Sequence, residues 1–154
     1  MPWREKVSAY RTVVSELMCQ QTQIATVIPY FNRWVKKWPD FKDLALSKES
    51  DVLAAWAGLG YYNRARNLRV CAIEISQLKV LPKTATEWQK FKGIGPYTAA
   101  AISSIAYNEP VAVVDGNVVR VLARVAGVQK IFSDGSTAVK YFTPLANHLV
   151  DVHQ

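Results

Sequence analysis

Two glycines directly before a nearly all-apolar segment constrain this chain more than any other feature. In FKGIGPYTAAAISS, residues 91–104, Gly93 and Gly95 flank one isoleucine and Pro96 follows. Because glycine accepts positive φ and proline suits the first turn of a helix, the stretch predicts a tight turn that opens a buried helix over 99–107. The amides of such a turn lack helical partners and suit an anion such as phosphate. A helical hairpin without a ligand would use the same glycines.

A second glycine turn precedes a second helical pattern. GLGYYNRARN, residues 58–67, again places an aliphatic residue between two glycines and continues with tyrosines and arginines. Tyr61 and Tyr62 beside Arg64 and Arg66 are typical of a surface that stacks on bases while the cations hold phosphate. Tyrosine pairs are also common in protein cores, so both interpretations stand at this point.

The positive charge is concentrated in the same region. The chain carries a formal net charge of +7. Only two acids, Glu74 and Glu87, lie between Tyr61 and Lys92, and this segment favours a polyanionic partner such as a phosphate backbone. A solvated basic face on an ordinary domain would have the same composition. The bases of the segment are Arg64, Arg66, Arg69, Lys79, Lys83, Lys90 and Lys92.

Hydrophobic spacing predicts helices almost throughout and an all-α fold. The first apolar stripe comprises Val7, Tyr10, Val14 and Leu17, and it continues through Ile24, Val27 and Ile28. Breaks are expected at Pro29 and Pro39. Further helices are expected from about Ser47 to Gly58, from Arg64 to Leu78, and from a Thr84–Glu87 capping box to Gly93.

Composition excludes several classes of protein. No apolar run reaches the roughly 18 residues that a membrane span requires, and no apolar block follows the basic residues at the amino terminus. Cys19 and Cys71 are the only cysteines, which are too few for a disulfide scaffold or a four-thiolate metal site. We therefore expect a soluble chain without a signal peptide in a reducing cytoplasm.

Two acidic residues have ambiguous local patterns. VAVVDGNVVRVL, around Asp115, fits two strands joined by an Asp-Gly turn, but Val118, Val121, Leu122 and Val125 keep helical spacing. We take the helix and predict Asp115 at its amino terminus, where a negative charge is favourable. Glu16 lies roughly opposite the apolar stripe of its helix, with Thr12, Gln20 and Gln23, on a face that the pattern alone predicts to be solvated.

The longer motifs resemble a known family. GIGPYTAAA followed by VVDGNVVRVLAR resembles the helix-hairpin-helix and the downstream Gly-Pro-Asp loop of the base-excision DNA glycosylases. SELMCQQTQIATVIPYF and WAGLGYYNRARNL narrow the resemblance to adenine DNA glycosylases of the MutY type, which remove adenine mispaired with 8-oxoguanine. The resemblance extends from about residue 2 to residue 127.

The resemblance implies four catalytic positions. Glu16 would be the acid that protonates the adenine ring nitrogen, and Asp115 the carboxylate that faces the sugar cation. Tyr97 stands where lyase relatives place a nucleophilic lysine, which implies a monofunctional glycosylase that forms no imine. Asn117 would help to hold the catalytic loop.

The resemblance also implies residues that contact DNA. Gln21 and Tyr61 match residues that fill or wedge the duplex when the adenine is flipped out. Arg66 matches a basic position that approaches the substrate. The expected DNA-contacting set is Gln20, Gln21, Gly58, Leu59, Gly60, Tyr61, Arg66, Lys92, Gly93, Ile94, Gly95, Tyr97 and Thr98.

The implied architecture is the all-α helix-hairpin-helix DNA glycosylase fold. A six-helix barrel domain would cover 1–110, with the hairpin at about 84–107, and an incomplete second helical lobe carrying the Asp115 loop would cover 111–154. The implied partner is double-stranded DNA with an A:8-oxoguanine or A:G mismatch, bound by a monomer in the bacterial cytoplasm, at the nucleoid.

Relatives have features that the sequence lacks: a helix before the PWR stretch, four cysteines for a 4Fe-4S cluster, and a domain that recognises 8-oxoguanine. We therefore expect no metal site and no cofactor in this chain, except a monovalent cation at the hairpin, as in relatives. His148 and His153 are expected to be surface residues. The chain would be a truncated core, or an incomplete member of a cluster-free branch. Three hypotheses follow: a glycosylase core, a catalytically dead DNA-binding fragment, and a helical scaffold whose glycine turns are structural.

Overall fold

The fold is entirely helical in the part of the chain that the structure describes. A computed structural model describes residues 1–150 of the 154, so His153 lies outside the described residues. Its regular elements are all α-helices, which confirms the all-α prediction. None of them is long and apolar enough to cross a membrane. The helices are α1 (Pro2–Glu5), α2 (Ala9–Cys19), α3 (Ile24–Lys37), α4 (Phe41–Ala45), α5 (Glu49–Trp56), α6 (Asn63–Ser76), α7 (Ala85–Trp88), α8 (Pro96–Tyr107), α9 (Gly116–Val125) and α10 (Gly135–His148).

A large hydrophobic core joins helices α1 to α8. Helix α2 packs against α8, and α6 packs against α4 and α5. Trp34, Trp56 and Trp88 are almost completely buried in this core. Each large side chain removed from water contributes about 1.5–3 kcal/mol, so this core dominates the stability of the fold. The packing sets the carboxyl end of α2 beside the amino end of α8.

A smaller core forms between α9, α10 and the segment that leads into α9. Val114, Leu122, Phe142 and Ala146 are its buried members. The helical spacing proposed for α9 is correct, yet Val121 and Val125 on that stripe are exposed. The division of the chain at 110/111 stays a prediction.

The glycine hairpin forms as predicted, with one difference. Thr84 and Glu87 form the expected capping box at the start of α7. Gly93 has a φ of +83°, but Gly95 takes an extended φ of −81° as the N-cap of α8, with Pro96 in the first turn. Only Gly93 uses the left-handed region, because a helix N-cap requires an extended backbone.

The first apolar stripe spans two helices rather than one. Helix α2 begins after the Ser8 cap and ends at Cys19, and α3 begins at Ile24. Val7 precedes α2 and is exposed. The apolar spacing of α2 continues into α3 because the four residues between the two helices are about one helical turn.

Two other helix boundaries differ from the prediction. Pro29 lies inside α3, and its expected break is absent. A proline lacks the N–H that would donate a hydrogen bond, here to the carbonyl of Ala25. Ala25 is exposed, so its carbonyl can bind water instead. Helix α5 begins at Glu49 after Lys48, since the Ser47 hydroxyl instead donates to the Leu44 carbonyl at 2.6 Å.

Candidate active site

The carboxyl end of α2 lies beside the amino end of α8. We call Tyr97 of α8, with the two carboxyl groups of Glu16 and Asp115 that act on it, the Tyr97 site. The side-chain amide of Gln20, just after α2, donates to the Thr98 hydroxyl of α8 at 3.4 Å. Tyr97, in the first turn of α8, is 42% exposed. Burial raises its pKa, and the charges of Glu16 and Asp115 raise it further. Both carboxyl groups therefore act electrostatically on the same phenol.

Glu16 lies in a less polar setting than its sequence pattern suggested. It lies on α2 one turn before the end of the helix and is only partly exposed, while Thr12 on the same face is buried. Burial raises the pKa of Glu16, and the positive charge of Arg4 offsets only part of this effect. The expectation of a solvated face was wrong for Thr12 and Glu16, because α2 packs against other helices that its own periodicity cannot reveal. A carboxyl group held in this way favours its protonated form.

Asp115 lies in the opposite kind of environment. Its Oδ1 accepts hydrogen bonds from the amides of Asn117 at 2.9 Å and Val118 at 2.8 Å, and its Oδ2 accepts one from the Asn117 side chain at 3.1 Å. Burial alone would raise the pKa of Asp115, but these hydrogen bonds outweigh it and lower the pKa. Asp115 is the N-cap of α9, which confirms the helical interpretation over the hairpin.

The two carboxyl groups of the Tyr97 site are thus tuned in opposite directions. Glu16 is displaced toward the acid form and Asp115 toward the carboxylate. A pair of this kind divides the roles of proton donor and anionic stabiliser. Asn117 bonds Asp115 through both its amide and its side chain, so it fixes the orientation of the carboxylate.

Two residues with strained backbones line a cavity beside Gln20, at the end of α2. Gln21 and Tyr61 both have positive φ, of 55° and 48°, which is unusual for residues other than glycine. They line one open cavity of about 630 Å³ with Gln20, Tyr62, Asn63 and Arg64. Tyr61 is 64% exposed. Strained residues persist where the surroundings hold them in place, and such residues cluster at functional sites.

Arg64 has a structural role that the sequence analysis did not assign. Its guanidinium donates to the carbonyls of Leu17 at 2.9 Å, Met18 at 3.2 Å, Leu59 at 3.0 Å and Gly60 at 3.2 Å. It also donates to the Gln20 carbonyl and to the Thr22 hydroxyl. Arg64 therefore joins the end of α2 to the turn at 58–60. Its donors are turned inward, and the interpretation of this arginine as a phosphate contact was wrong.

The residues of the two glycine turns divide into buried and exposed positions. Leu59 and Ile94, between the glycines of each turn, are 5% and 4% exposed, and Thr98 is 3% exposed. Their side chains anchor the turns, so only their main-chain atoms are available to a ligand. An added Cβ at Gly58, whose φ is +100°, would lie 2.2 Å from the Tyr30 hydroxyl. Gly60 and Gln20 are partly buried. The exposed members of the predicted set are Gln21, Gly58, Tyr61, Arg66, Lys92, Gly93, Gly95 and Tyr97.

Arg66 and Arg4 complete the charged surroundings. Arg66 is exposed and pairs with Glu49, its Nε lying 3.1 Å from Oε1. Arg4 is exposed, and its charge acts on both Glu16 and Tyr97. Arg4 belongs to the PWR stretch, whose sequence pattern predicts no role for it. The position of Arg4 directly after the buried Trp3 does not by itself indicate a functional residue.

The described residues offer no clustered metal ligands. Within 1–150, no group of three or more His, Cys, Asp or Glu side chains is placed to hold a metal ion. Burial and the nearby Glu16 raise the pKa of Cys19 to about 11, and burial raises that of Cys71 to about 12. Both thiols are therefore protonated at neutral pH. His148 is exposed at the end of α10, as expected.

Proteins of known structure share this fold. A thermostable thymine-DNA glycosylase superposes with a TM-score of 0.86 at 24% identity, over 99% of this chain and 71% of that one. Endonuclease III in a non-covalent complex with DNA superposes with a TM-score of 0.80 at 20% identity, over 95% of this chain and 67% of that one. At this level of identity the likeness establishes the fold.

Comparison of sequences establishes the family. The adenine DNA glycosylase of Rattus norvegicus is 42% identical over 165 residues, and that of Homo sapiens is 44% identical over 164 residues. These alignments cover 100% and 98% of this chain but only 30% of each relative. Residues 14–141 match the HhH-GPD superfamily of base excision DNA repair proteins, and this range holds Glu16, both glycine turns and Asp115. The chain belongs to the HhH-GPD superfamily of base excision DNA repair proteins.

Proposed function

We propose that this chain carries the catalytic centre of an adenine DNA glycosylase, which hydrolyses the bond between deoxyribose and an adenine mispaired with 8-oxoguanine or guanine. The observation that carries the proposal is the contrast between two carboxyl groups that both act on Tyr97: Glu16 is partly buried on α2, whereas Asp115 accepts three hydrogen bonds at the start of α9. The relatives named adenine DNA glycosylase support the choice of base.

The two carboxyl groups perform different steps in this proposal. Protonated Glu16 donates its proton to a ring nitrogen of the adenine, which makes the base a better leaving group. The Asp115 carboxylate stabilises the positive charge that develops on the sugar as the bond breaks. A water molecule then adds to the sugar carbon and leaves an abasic site. Because Tyr97 offers no amine, no imine forms and the enzyme is monofunctional.

The surface around the Tyr97 site binds the duplex in this proposal. Gln21 and Tyr61 enter the base stack beside the extruded adenine, where their strained backbones already hold them at the mouth of the cavity. Flipping a base costs a few kcal/mol of stacking and pairing, which these contacts offset. The amides at the start of α8 bind phosphate, and exposed Lys92 adds charge.

The hairpin also suits a monovalent cation. Among the described residues, the main-chain oxygens of Lys92, Gly93 and Ile94 accept no hydrogen bond. Hard oxygen donors of this kind bind alkali cations, and a cation there would brace the turn against the phosphate. The proposal includes no further cofactor and takes the chain to act as a monomer on DNA in the cytoplasm.

Adenine release from a duplex tests the proposal. The wild-type chain is incubated with a duplex containing one A:8-oxoguanine pair, and strand breaks are counted with and without alkali. We expect breaks only after alkali, and none when Glu16→Gln or Asp115→Asn replaces the wild type, while duplex affinity is retained. Asp51→Asn, an exposed acid-to-amide change at the start of α5, is the matched control. Equal release by Glu16→Gln and the control would refute the assignment, and binding without any release would identify a catalytically dead DNA-binding fragment.

A further inference from the structure

The segment that leads to Asp115 makes few hydrogen bonds to other elements. After α8 ends at Tyr107, residues 108–114 run without regular structure to Asp115. Glu109, at the start of this linker, accepts a hydrogen bond from the Ala85 amide of α7 at 2.7 Å. Val111 donates to the Glu109 carbonyl at 2.8 Å, which is a local bond within the linker. The first half of the linker is therefore held to the helices of the larger core.

The second half of the linker makes one hydrogen bond to another element and otherwise only apolar contacts. The Ala112 amide donates to Oδ1 of Asn147, near the end of α10, at 2.9 Å. Among residues 1–150, no other hydrogen bond joins the linker to α10. Val114 is 6% exposed in the smaller core. Its burial holds the linker against that core but does not set the orientation of the linker backbone, because apolar contacts are not directional. Asp115 lies three residues beyond Ala112.

We infer that Asn147 is a positioning residue for Asp115. Asp115 is held by its cap on α9 and by the buried Val114, and the hydrogen bond at Ala112 adds a directional attachment within about 10 Å of it along the chain. The bond to Asn147 therefore limits how far Asp115 can shift relative to Glu16, and it couples the Tyr97 site to α10, a helix that contributes no group to the chemistry. This inference rests on the proposed function, because the consequence of misplacing Asp115 is a loss of catalysis.

The chain offers well-matched variants for this inference. Asn147→Leu keeps the shape of the side chain but removes the acceptor, whereas Asn147→Asp keeps an oxygen acceptor at the same position. Thr137→Val removes a hydrogen bond of 3.0 Å to Asp134 from the opposite end of the same helix, and it controls for loosening of α10. None of these residues touches the reacting groups.

The test is single-turnover release of adenine from an A:8-oxoguanine duplex, with duplex affinity measured separately. Displacements of about 1 Å cost up to 100-fold in rate, so Asn147→Leu should lower the single-turnover rate 10- to 100-fold at unchanged affinity. Asn147→Asp should restore the rate to within about threefold of wild type, and Thr137→Val should not alter it. Wild-type rate in Asn147→Leu, or equal losses in Asn147→Leu and Thr137→Val, would overturn the inference.

Amide exchange tests the inference independently of activity. In Asn147→Leu, the Ala112 amide should exchange faster because it loses its acceptor. The Val118 amide should also exchange faster, because its acceptor is the Asp115 carboxylate, which the substitution displaces. Amides of α2 should be unaffected. If the wild-type chain releases no adenine, the proposed function fails, while the exchange result still decides whether Asn147 holds the linker. Unchanged exchange at both amides would refute that role.

Discussion

Replacement of Arg64 by methionine separates a structural arginine from a phosphate-binding one. The guanidinium satisfies carbonyls of two segments, and those of Leu17, Met18 and Leu59 lie in buried surroundings. A buried acceptor that loses its partner costs about 1–1.5 kcal/mol here, so Arg64→Met should lower the free energy of unfolding by about 3–5 kcal/mol. Arg66→Met is the matched control, and its exposed ion pair is worth at most about 1 kcal/mol.

Urea denaturation measures this difference directly, and duplex binding at several salt concentrations measures the charge effect. A phosphate contact contributes about 0.9 to the slope of log affinity against log salt. We expect Arg64→Met to weaken binding through lost structure while leaving that slope unchanged. Arg64→Lys should also be destabilised, because one ammonium cannot reach both segments. A stability within about 1 kcal/mol of wild type, together with a slope reduced by about 0.9, would refute the structural assignment.

Three further outcomes are expected. Because burial raises the pKa of Glu16, the folded chain binds this proton more tightly than the unfolded chain, and stability contributed by Glu16 falls as pH rises above about 4.3. Glu16→Gln should therefore melt higher than wild type at pH 8 and equally near pH 4 by calorimetry; a lower melting temperature at pH 8 would contradict this. Adenine release should fall at high pH as Glu16 ionises and at low pH as Asp115 is protonated, whereas a rate independent of pH would argue against the pair. Gly93→Ala should cost about 2–4 kcal/mol in urea denaturation, since its φ is +83° and the new Cβ would lie 2.6 Å from Asn67 Cβ. Gly95→Ala, in open space at an extended N-cap, should cost about 1 kcal/mol or less, and equal losses would contradict the argument.

Local sequence signals predicted the elements that local forces determine. The capping box at Thr84, the helix over 63–76 and the N-cap at Asp115 depend on bonds within one turn, and each has a signature in neighbouring residues. The competing hairpin at Asp115 failed because the valines after it continue the spacing of a helix. Short helix α4 was missed, although Asp40 caps it by accepting from the Lys42 and Asp43 amides.

Tertiary contacts determined what the sequence could not predict. The burial of Glu16 depends on helices that are distant along the chain, so its raised pKa has no local signal. Arg64 lies among exposed bases in the sequence but turns inward to carbonyls more than forty residues away. The strained backbones of Gln21 and Tyr61 likewise follow from the surroundings of the cavity. Resemblance to the family supplied Glu16, Gln21 and Tyr61, and the structure supplied a physical reason for each of them, whereas the role of Arg64 came from the structure alone.

The division of labour between the two carboxyl groups can be measured without substrate. A carbon-13 NMR titration of the wild-type chain, with Asp115→Asn and Glu16→Gln to assign the signals, reports each side-chain pKa. We expect Glu16 to titrate above the ordinary glutamate value of about 4.3 and Asp115 below the ordinary aspartate value of about 3.9. Ordinary pKa values at both residues, or shifts in the reverse directions, would contradict the account of a proton donor and an anionic stabiliser at the Tyr97 site.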